Sequence, residues 1–318
     1  MRKMKGFLFS IIGISIVINV LLIGFLFNAE DSSSNANRIE QLRDSLQFLS
    51  PRVFQENPND LIINFVPLRE QLQHYHSSVP ERFGLYFEYL PTGNSIGVNE
   101  KDTFVPASLL KLPLAMGVFK LVEQKKISFD QTLTLTDVDK DPRFGDLWKQ
   151  KSGTKYNIDD LIHSLIIYSD NTAQEMLLRL VTGQVIDDVF DNLDIPKTRN
   201  ELSNPVVSSK NYSSILRCLY LSCYLTKEGS NHLLEHLTKT TFHDKLPAGV
   251  PNSIPIAHKI GVAEGKNSDK NIYTDCGIVY YPKRPYILCL MIQSNEEEAR
   301  TVMKDISKIT YNFIHTQD

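Results

Sequence analysis

The stretch Phe104-Val-Pro-Ala-Ser108-Leu-Leu-Lys111 opens an apolar helical period that continues to Val122. Three residues apart on a helix, Ser108 and Lys111 share a face with about 5–6 Å between their Cβ atoms, close enough for the amine to take or guide the serine proton. At a helix N-terminus, unpaired N–H groups and the positive dipole end also favour developing negative charge. Ser and Lys are common residues, however, and the chain has a second S-x-x-K at Ser152-Gly-Thr-Lys155. Taken alone, Ser108 is better explained as a helix cap beside a surface lysine.

Two further pieces change that balance. Ser169-Asp170-Asn171 follows a helical segment 61 residues after Ser108, and His258-Lys259-Ile260-Gly261 enters the C-terminal strands with Lys259 90 residues after Ser169. Lys151-Ser152-Gly153 competes as a K-[ST]-G motif, but it precedes Ser169 and lies in the polar stretch 149–155 with no strand pattern around it, as a solvated loop does. The order S-x-x-K, S-D-N, K-x-G resembles that of the class A β-lactamases and penicillin-binding proteins, which are serine acyltransferases. The resemblance spans roughly residues 60 to 315 and extends to Lys111-Leu-Pro113 and to Gly277-Ile-Val-Tyr280 after the third motif.

The resemblance implies that Ser108 attacks a carbonyl and is acylated, with Lys111 as base or proton relay. Ser169 would pass the proton to the leaving nitrogen, and Asn171 would hold Lys111 and the substrate amide. Lys259 would face a substrate carboxylate, and the N–H groups of Ser108 and Val262 would form the oxyanion hole. Gly261 would let the substrate backbone approach the strand edge, and Asp170 has a structural role. The implied substrates are a β-lactam or a D-Ala-D-Ala-like cell-wall peptide, with no cofactor and no metal. Two departures stand out. Ile260 replaces a hydroxyl residue between Lys and Gly, and no arginine between Lys259 and Tyr281 replaces the lost donor. A hydrogen bond to a charged group is worth about 1.5–3 kcal/mol, so affinity for carboxylate substrates would fall about ten- to hundredfold. The region 194–207 also looks too short for a long Ω loop and lacks its E-x-x-L-N spacing, leaving Glu201 as the only candidate deacylation base. That deficit leans toward slow deacylation or a peptide substrate, as in a D,D-peptidase.

Around these motifs, the aromatic and aliphatic run Phe83–Leu90, the turn Pro-Thr-Gly-Asn94 and Ser95–Val98 read as a β-hairpin. The same texture returns at Cys276–Tyr281 and Tyr286–Ile292, followed by a helical period from about Glu296 to Ile314. Between these regions the period is mostly helical, over Leu109–Val122, Ile158–Ile167, Ala173–Val181 and Tyr212–Leu225. The expected fold is α/β (α+β): a mostly antiparallel sheet made from both ends of the chain, flanked by helices, with an all-helical insertion over about 108–245. The hydrolase domain is placed at 60–318, beginning with an amphipathic helix over Pro67–His76.

Phe7 to Phe27 is a run of 21 residues without a formal charge, preceded by Arg2, Lys3 and Lys5. At about 1.5 Å per residue a helix of that length crosses a hydrocarbon core of about 30 Å. Residues 1–29 therefore read as a cytoplasmic tail and one signal-anchor transmembrane helix, placing the rest outside the plasma membrane. The rival is a cleaved signal peptide, but the run is long for one and Phe27-Asn28-Ala29 lacks a small residue at its first position. Residues 30–59 read as a Ser/Asn-rich linker and a stalk helix striped by Ile39, Leu42, Leu46 and Leu49.

Net charge is −3, with 34 Lys+Arg against 37 Asp+Glu, and no basic stripe gathers phosphates, which argues against nucleic acid. His232-Leu-Leu-Glu235-His236 matches the H-x-x-E-H pattern of zinc peptidases; Leu233, Leu234 and Leu237 instead give that segment a plain core stripe. The four cysteines are expected to be buried free thiols. Cys218 and Cys223 would point apart on a helix, while Cys276 and Cys289 would miss each other across a turn centred on Lys283-Arg284. A non-catalytic role as a covalent β-lactam sensor or binding module stays open, though about six residues before the apolar run form no output domain. The oligomeric state has no sequence signal.

Overall fold

The computed structural model describes Ser45, Gln47, Phe48 and residues 63–265 and 270–317. The apolar run 7–27, the linker, most of the stalk stripe and the boundary at Asp60 lie outside the described residues. Among those described, no helix is long and apolar enough to cross a membrane.

Helix α1 (Val66–Ser78) carries proline in its first turn, where a missing N–H costs nothing, and buries Leu68 and Leu72 one turn apart. Strands β1 (Arg82–Tyr89) and β2 (Asn94–Val98) form the expected hairpin, with Leu85 opposite Val98 and the reversal made by Gly93 at φ +79°. After β3 (Thr103–Phe104) a 3-10 turn, Ala107–Leu110, leads into α2 (Lys111–Glu123). The insertion is not all-helical as expected: it continues with β4 (Thr132–Thr134) and β5 (Lys155–Asn157), which pair with each other and are too short to show alternation in sequence, and then α3 (Ile158–Ile167), α4 (Asn171–Val181) and α5 (Gln184–Asn192). It ends through β6 (Thr198–Arg199), β7 (Pro205–Ser208), α6 (Ser209–Leu221) and α7 (Lys227–Thr238). Strands β8 (Ile256–Ala263), β9 (Asn271–Val279) and β10 (Tyr286–Ser294) then return to the sheet, and α8 (Glu296–His315) closes the fold.

The five-stranded sheet has the order β2-β1-β10-β9-β8 and is antiparallel throughout, so strands from both ends of the chain meet at its centre. Its central strands are buried almost end to end because both faces are covered. One face packs Phe87, Leu288 and Ile292 against Leu68 and Leu72 of α1 and Met303 and Ile306 of α8. Helix α6 lies against β1, β9 and β10. Strand β8, which carries the third motif, is left at the sheet edge. Phe48, read above as part of the stalk, is buried on this domain: its N–H donates to Asn231 Oδ1 at 3.3 Å, and Tyr280 donates to its carbonyl at 2.9 Å.

The cysteines depart from expectation, forming two disulfides, Cys218–Cys223 and Cys276–Cys289. Helix α6 stops at Leu221, and Ser222 at φ +53° turns the chain back, so Cys223 is not on the helix that was to point it away. Cys276 and Cys289 are direct cross-strand partners in a register that pairs Val279 with Tyr286. The turn is therefore centred one residue earlier than Lys283-Arg284, and a shift of that size decides which side chains face each other.

Candidate active site

Three segments converge on one site: the 3-10 turn before α2, the turn between α3 and α4, and strand β8. Their close fit shows first at Gly261. A Cβ on this residue would lie 2.6 Å from the Pro106 carbonyl oxygen, 2.6 Å from Thr274 Oγ1 and 3.3 Å from the Leu109 nitrogen. The glycine thus lets the strand lie against the turn that bears Ser108, which is a different use from admitting substrate backbone. Tyr212, fully buried in α6, secures the same turn by donating its hydroxyl to the Leu109 carbonyl at 3.0 Å. Ala107, immediately before Ser108, is held at φ +48°, and Ser169 at φ +53°. Non-glycine residues in the left-handed region cost of order 1–3 kcal/mol and persist only where surroundings fix them. Both strained residues are in or next to the motifs. Ser108 itself is half-buried.

Lys111 is 1% exposed because α2 is buried continuously from Lys111 to Phe119. Its apolar neighbours Leu112, Leu114, Met116, Val118 and Phe119 each contribute about 1.5–3 kcal/mol on burial, enough to carry one desolvated amine inward. That amine donates to the Ser169 carbonyl at 2.5 Å, to Asn171 Oδ1 at 2.5 Å and to Ser169 Oγ at 3.2 Å. Desolvation lowers its pKa to about 7, against the partial opposition of Asp170 and Asp141. Lys259, also fully buried, donates to the same Ser169 Oγ at 2.9 Å and lies 5.8 Å from the Phe242 ring centre. Burial, and secondarily the charge of Lys111, lowers its pKa well below the ordinary lysine value. Two amines that both resist protonation therefore share one serine hydroxyl, an arrangement suited to moving a proton.

Asp170 has the structural role expected of it. Its carboxylate caps α4 by accepting from Ala173 N at 2.9 Å and also accepts from Asp146 N at 2.8 Å and Leu147 N at 3.0 Å. Gly145 at φ +81° makes room for it, since a Cβ there would fall 2.0 Å from Asp170 Oδ2. The sequence reading missed this supporting loop. Asn171 hydrogen-bonds the Asp141 carboxylate, which Arg143 holds well below the usual carboxylate range. A cleft of 460 Å³ opens beside the turn, lined in part by Arg143, Phe144, Tyr168, Asp170 and Phe242. Its only sequence signal was the Pro- and Gly-containing run 141–145 ahead of S-D-N.

The other sequence candidates fall elsewhere or gain new surroundings. Val262 is half-buried on edge strand β8, which pairs within its sheet with β9 alone. Ile260 is 3% exposed, and its register opposite Asp275 puts it on the sheet face shared with His258, turned from Lys259 and Gly261. There His258 Nδ1 and Asp275 Oδ1 are 2.8 Å apart. Glu201 is exposed in the reversal between β6 and β7. That hairpin walls a 240 Å³ cleft next to Pro106 and Leu110, which Glu201 does not line. The decoy Ser152 sits in a turn before β5, bonded to Asp137. Glu235 pairs with Lys239 at 2.6 Å instead of standing between His232 and His236 as a peptidase base must.

Residues 67–314 match the beta-lactamase enzyme family. The chain belongs to that family. Its relatives include the β-lactamase VEB-1 of Pseudomonas aeruginosa, 24% identical over 245 residues that cover 68% of this chain and 82% of that protein. The solved structure of PBP-A is similar with a TM-score of 0.71 at 24% identity, covering 79% of this chain and 97% of that one. The same figures hold for a PBP-A mutant solved as an acyl-enzyme complex with penicillin G. This member of the beta-lactamase enzyme family is a serine hydrolase of β-lactamase type, which displaces the zinc-peptidase alternative.

Proposed function

We propose that the enzyme forms a covalent acyl-enzyme through Ser108 with a β-lactam or a D-Ala-D-Ala-like peptide, and releases the acyl group slowly. The observation that carries the proposal is the Lys111–Ser169–Lys259 chain of hydrogen bonds, in which Lys111 has a pKa of about 7. Lys111 in its neutral form accepts the Ser108 proton as the serine oxygen bonds to the substrate carbonyl carbon. The carbonyl oxygen gains negative charge beside the N–H groups of Ser108 and Val262. As the C–N bond breaks, Ser169 gives its proton to the leaving nitrogen and recovers one from protonated Lys111. Lys259 meets the substrate carboxylate, whose charge compensates the amine's loss of water. Water then cleaves the ester and restores Ser108.

Slow release is supported by the partners of Lys111: among the described residues its hydrogen-bond acceptors are Ser169 and Asn171, and none is a carboxylate. This favours a D,D-peptidase or a slow β-lactamase over rapid turnover. Reaction with a fluorescent penicillin, followed by mass spectrometry over time, tests the proposal; absence of any adduct on Ser108 would end it.

Because the neutral amine is the base, the acylation rate should rise with pH through about 7 and level off above it. At pH 6 it should be about a tenth of its plateau. Stopped-flow or timed labelling between pH 5 and 9 checks this, and a flat profile would remove Lys111 as the base.

Residues 7–27 are proposed to hold the enzyme at the plasma membrane with its catalytic domain outside, where cell-wall peptide is found. Protease added to intact cells should digest the domain, and the mature chain should retain its apolar N-terminus. A soluble product beginning near Glu30 would show that this segment is a cleaved signal peptide.

A further inference from the structure

Helices α3 and α7 each carry a pair of metal-ligating residues one turn apart, Asp159 and His163 on α3 and His232 and His236 on α7. Residues at i and i+4 share a helix face, and the two helices pack together. As a result, ligand atoms of Asp159, His232 and His236 all lie within 4.8 Å of one another. His232 Nε2 and Asp159 Oδ1 are 3.7 Å apart, too long for a hydrogen bond. It is close to the roughly 3.4 Å between two donors of a tetrahedral ion with bonds of about 2.0–2.1 Å.

The surroundings point the same way. His236 is 7% exposed, yet neither ring nitrogen has a hydrogen-bond partner, and Asp159 Oδ1 also has none. A buried polar atom without a partner costs about 1–3 kcal/mol, so such atoms call for an explanation. The rings of His232 and His236 lie 4.7 Å apart, and Phe119 and Phe129 pack on the outer side of His232. Asp159 and His232 remain partly exposed, which gives an ion a way in.

We propose that Asp159, His232 and His236 bind one zinc-class cation, with water completing a tetrahedral shell, at a site separate from the serine chemistry. Asp159 lies in the first turn of α3, eight residues or about 12 Å along the helix from its last residue, Ile167. Bound there, the ion fastens α3 to α7. The far end of α3 holds the motif turn, because the Ser164 carbonyl accepts from Asp170 N at 3.1 Å. The ion therefore stabilises the scaffold behind Ser169 and takes no part in acyl transfer. Glu235, bonded to Lys239, is not a ligand, which distinguishes this site from the H-x-x-E-H peptidase pattern.

The test is titration of the full chain, stripped with a chelator, with Zn²⁺ by calorimetry and with Co²⁺ by visible absorption. One equivalent should bind, with the strong visible bands of a four-coordinate cobalt site. Zinc at about a hundred times its Kd should raise Tm by about 5 °C or more. His232→Ala and Asp159→Asn, at partly exposed positions, should weaken zinc at least about tenfold with unchanged circular dichroism. Glu235→Gln should bind as the parent does. Absence of stoichiometric binding, full affinity in a folded His232→Ala variant, or loss of binding in Glu235→Gln would overturn the proposal.

Discussion

Ser108→Ala is expected to abolish labelling by a fluorescent penicillin while circular dichroism and Tm stay close to those of the parent. Ser108 is half-buried, and the backbone of its turn is fixed by Tyr212 and by the close approach of Gly261, so loss of one hydroxyl leaves the packing in place. Lys111→Ala should lower the labelling rate by at least about a thousandfold, since an unassisted serine hydroxyl is a poor nucleophile near neutral pH. It should also lower Tm. Removing that amine strands the Ser169 carbonyl and Asn171 Oδ1, both of which it now satisfies, and each stranded acceptor costs about 1–3 kcal/mol. The two variants thus separate a nucleophile from a buried base. Gel fluorescence and a mass spectrum of the active-site peptide read both outcomes. Undiminished labelling of the Ser108→Ala variant would refute the assignment, and a chelator should leave labelling of the parent unchanged.

Much of this was legible because periodicity reports burial. The hairpin residues, the helix over 158–167 and the final helix follow from apolar spacing, and an antiparallel sheet built from both ends of the chain follows from the strand texture found there; the strand order does not. The motif residues were legible by type and order; their assembly was not. That Lys111 and Lys259 meet on one Ser169 hydroxyl depends on contacts 58 and 90 residues apart, which local pattern does not encode.

Register accounts for the misses. A turn centred one residue earlier makes Cys276 and Cys289 partners, and a left-handed Ser222 brings Cys223 back to Cys218. The same alternation reassigns Ile260. In sequence it stands where a hydroxyl would meet a carboxylate, but in the strand it shares a face with His258 and Asp275, turned from Lys259. The loop 141–147 was missed because much of its support for the motif comes from backbone groups, the Asp146 and Leu147 N–H to Asp170 and the Phe144 carbonyl to Asn171 N, which no side-chain motif announces.

The acyl-enzyme is expected to persist for minutes. Enzymes commonly turn over about ten times per second, so a release rate near 10⁻² to 10⁻³ per second is about 10³- to 10⁴-fold slower, or about 4–5.5 kcal/mol of missing transition-state stabilisation. A water positioned and activated by a carboxylate supplies stabilisation of that order through general-base catalysis together with orientation. In this site the acceptors around Lys111 are a carbonyl, a hydroxyl and an amide oxygen. Asp170, the nearest motif carboxylate, already caps α4 and holds two further backbone N–H groups, so turning it toward water would undo the turn that carries Ser169. Glu201 is exposed in the β6–β7 reversal, and Glu201→Gln should change the release rate by less than about twofold. Rates of acylation and release, measured separately by burst-phase labelling and by decay of the adduct mass, distinguish the outcomes. Fast hydrolysis lost in Glu201→Gln would make Glu201 the deacylation base and this enzyme an efficient β-lactamase. Fast hydrolysis indifferent to Glu201 would require a base outside the Lys111–Ser169–Lys259 chain.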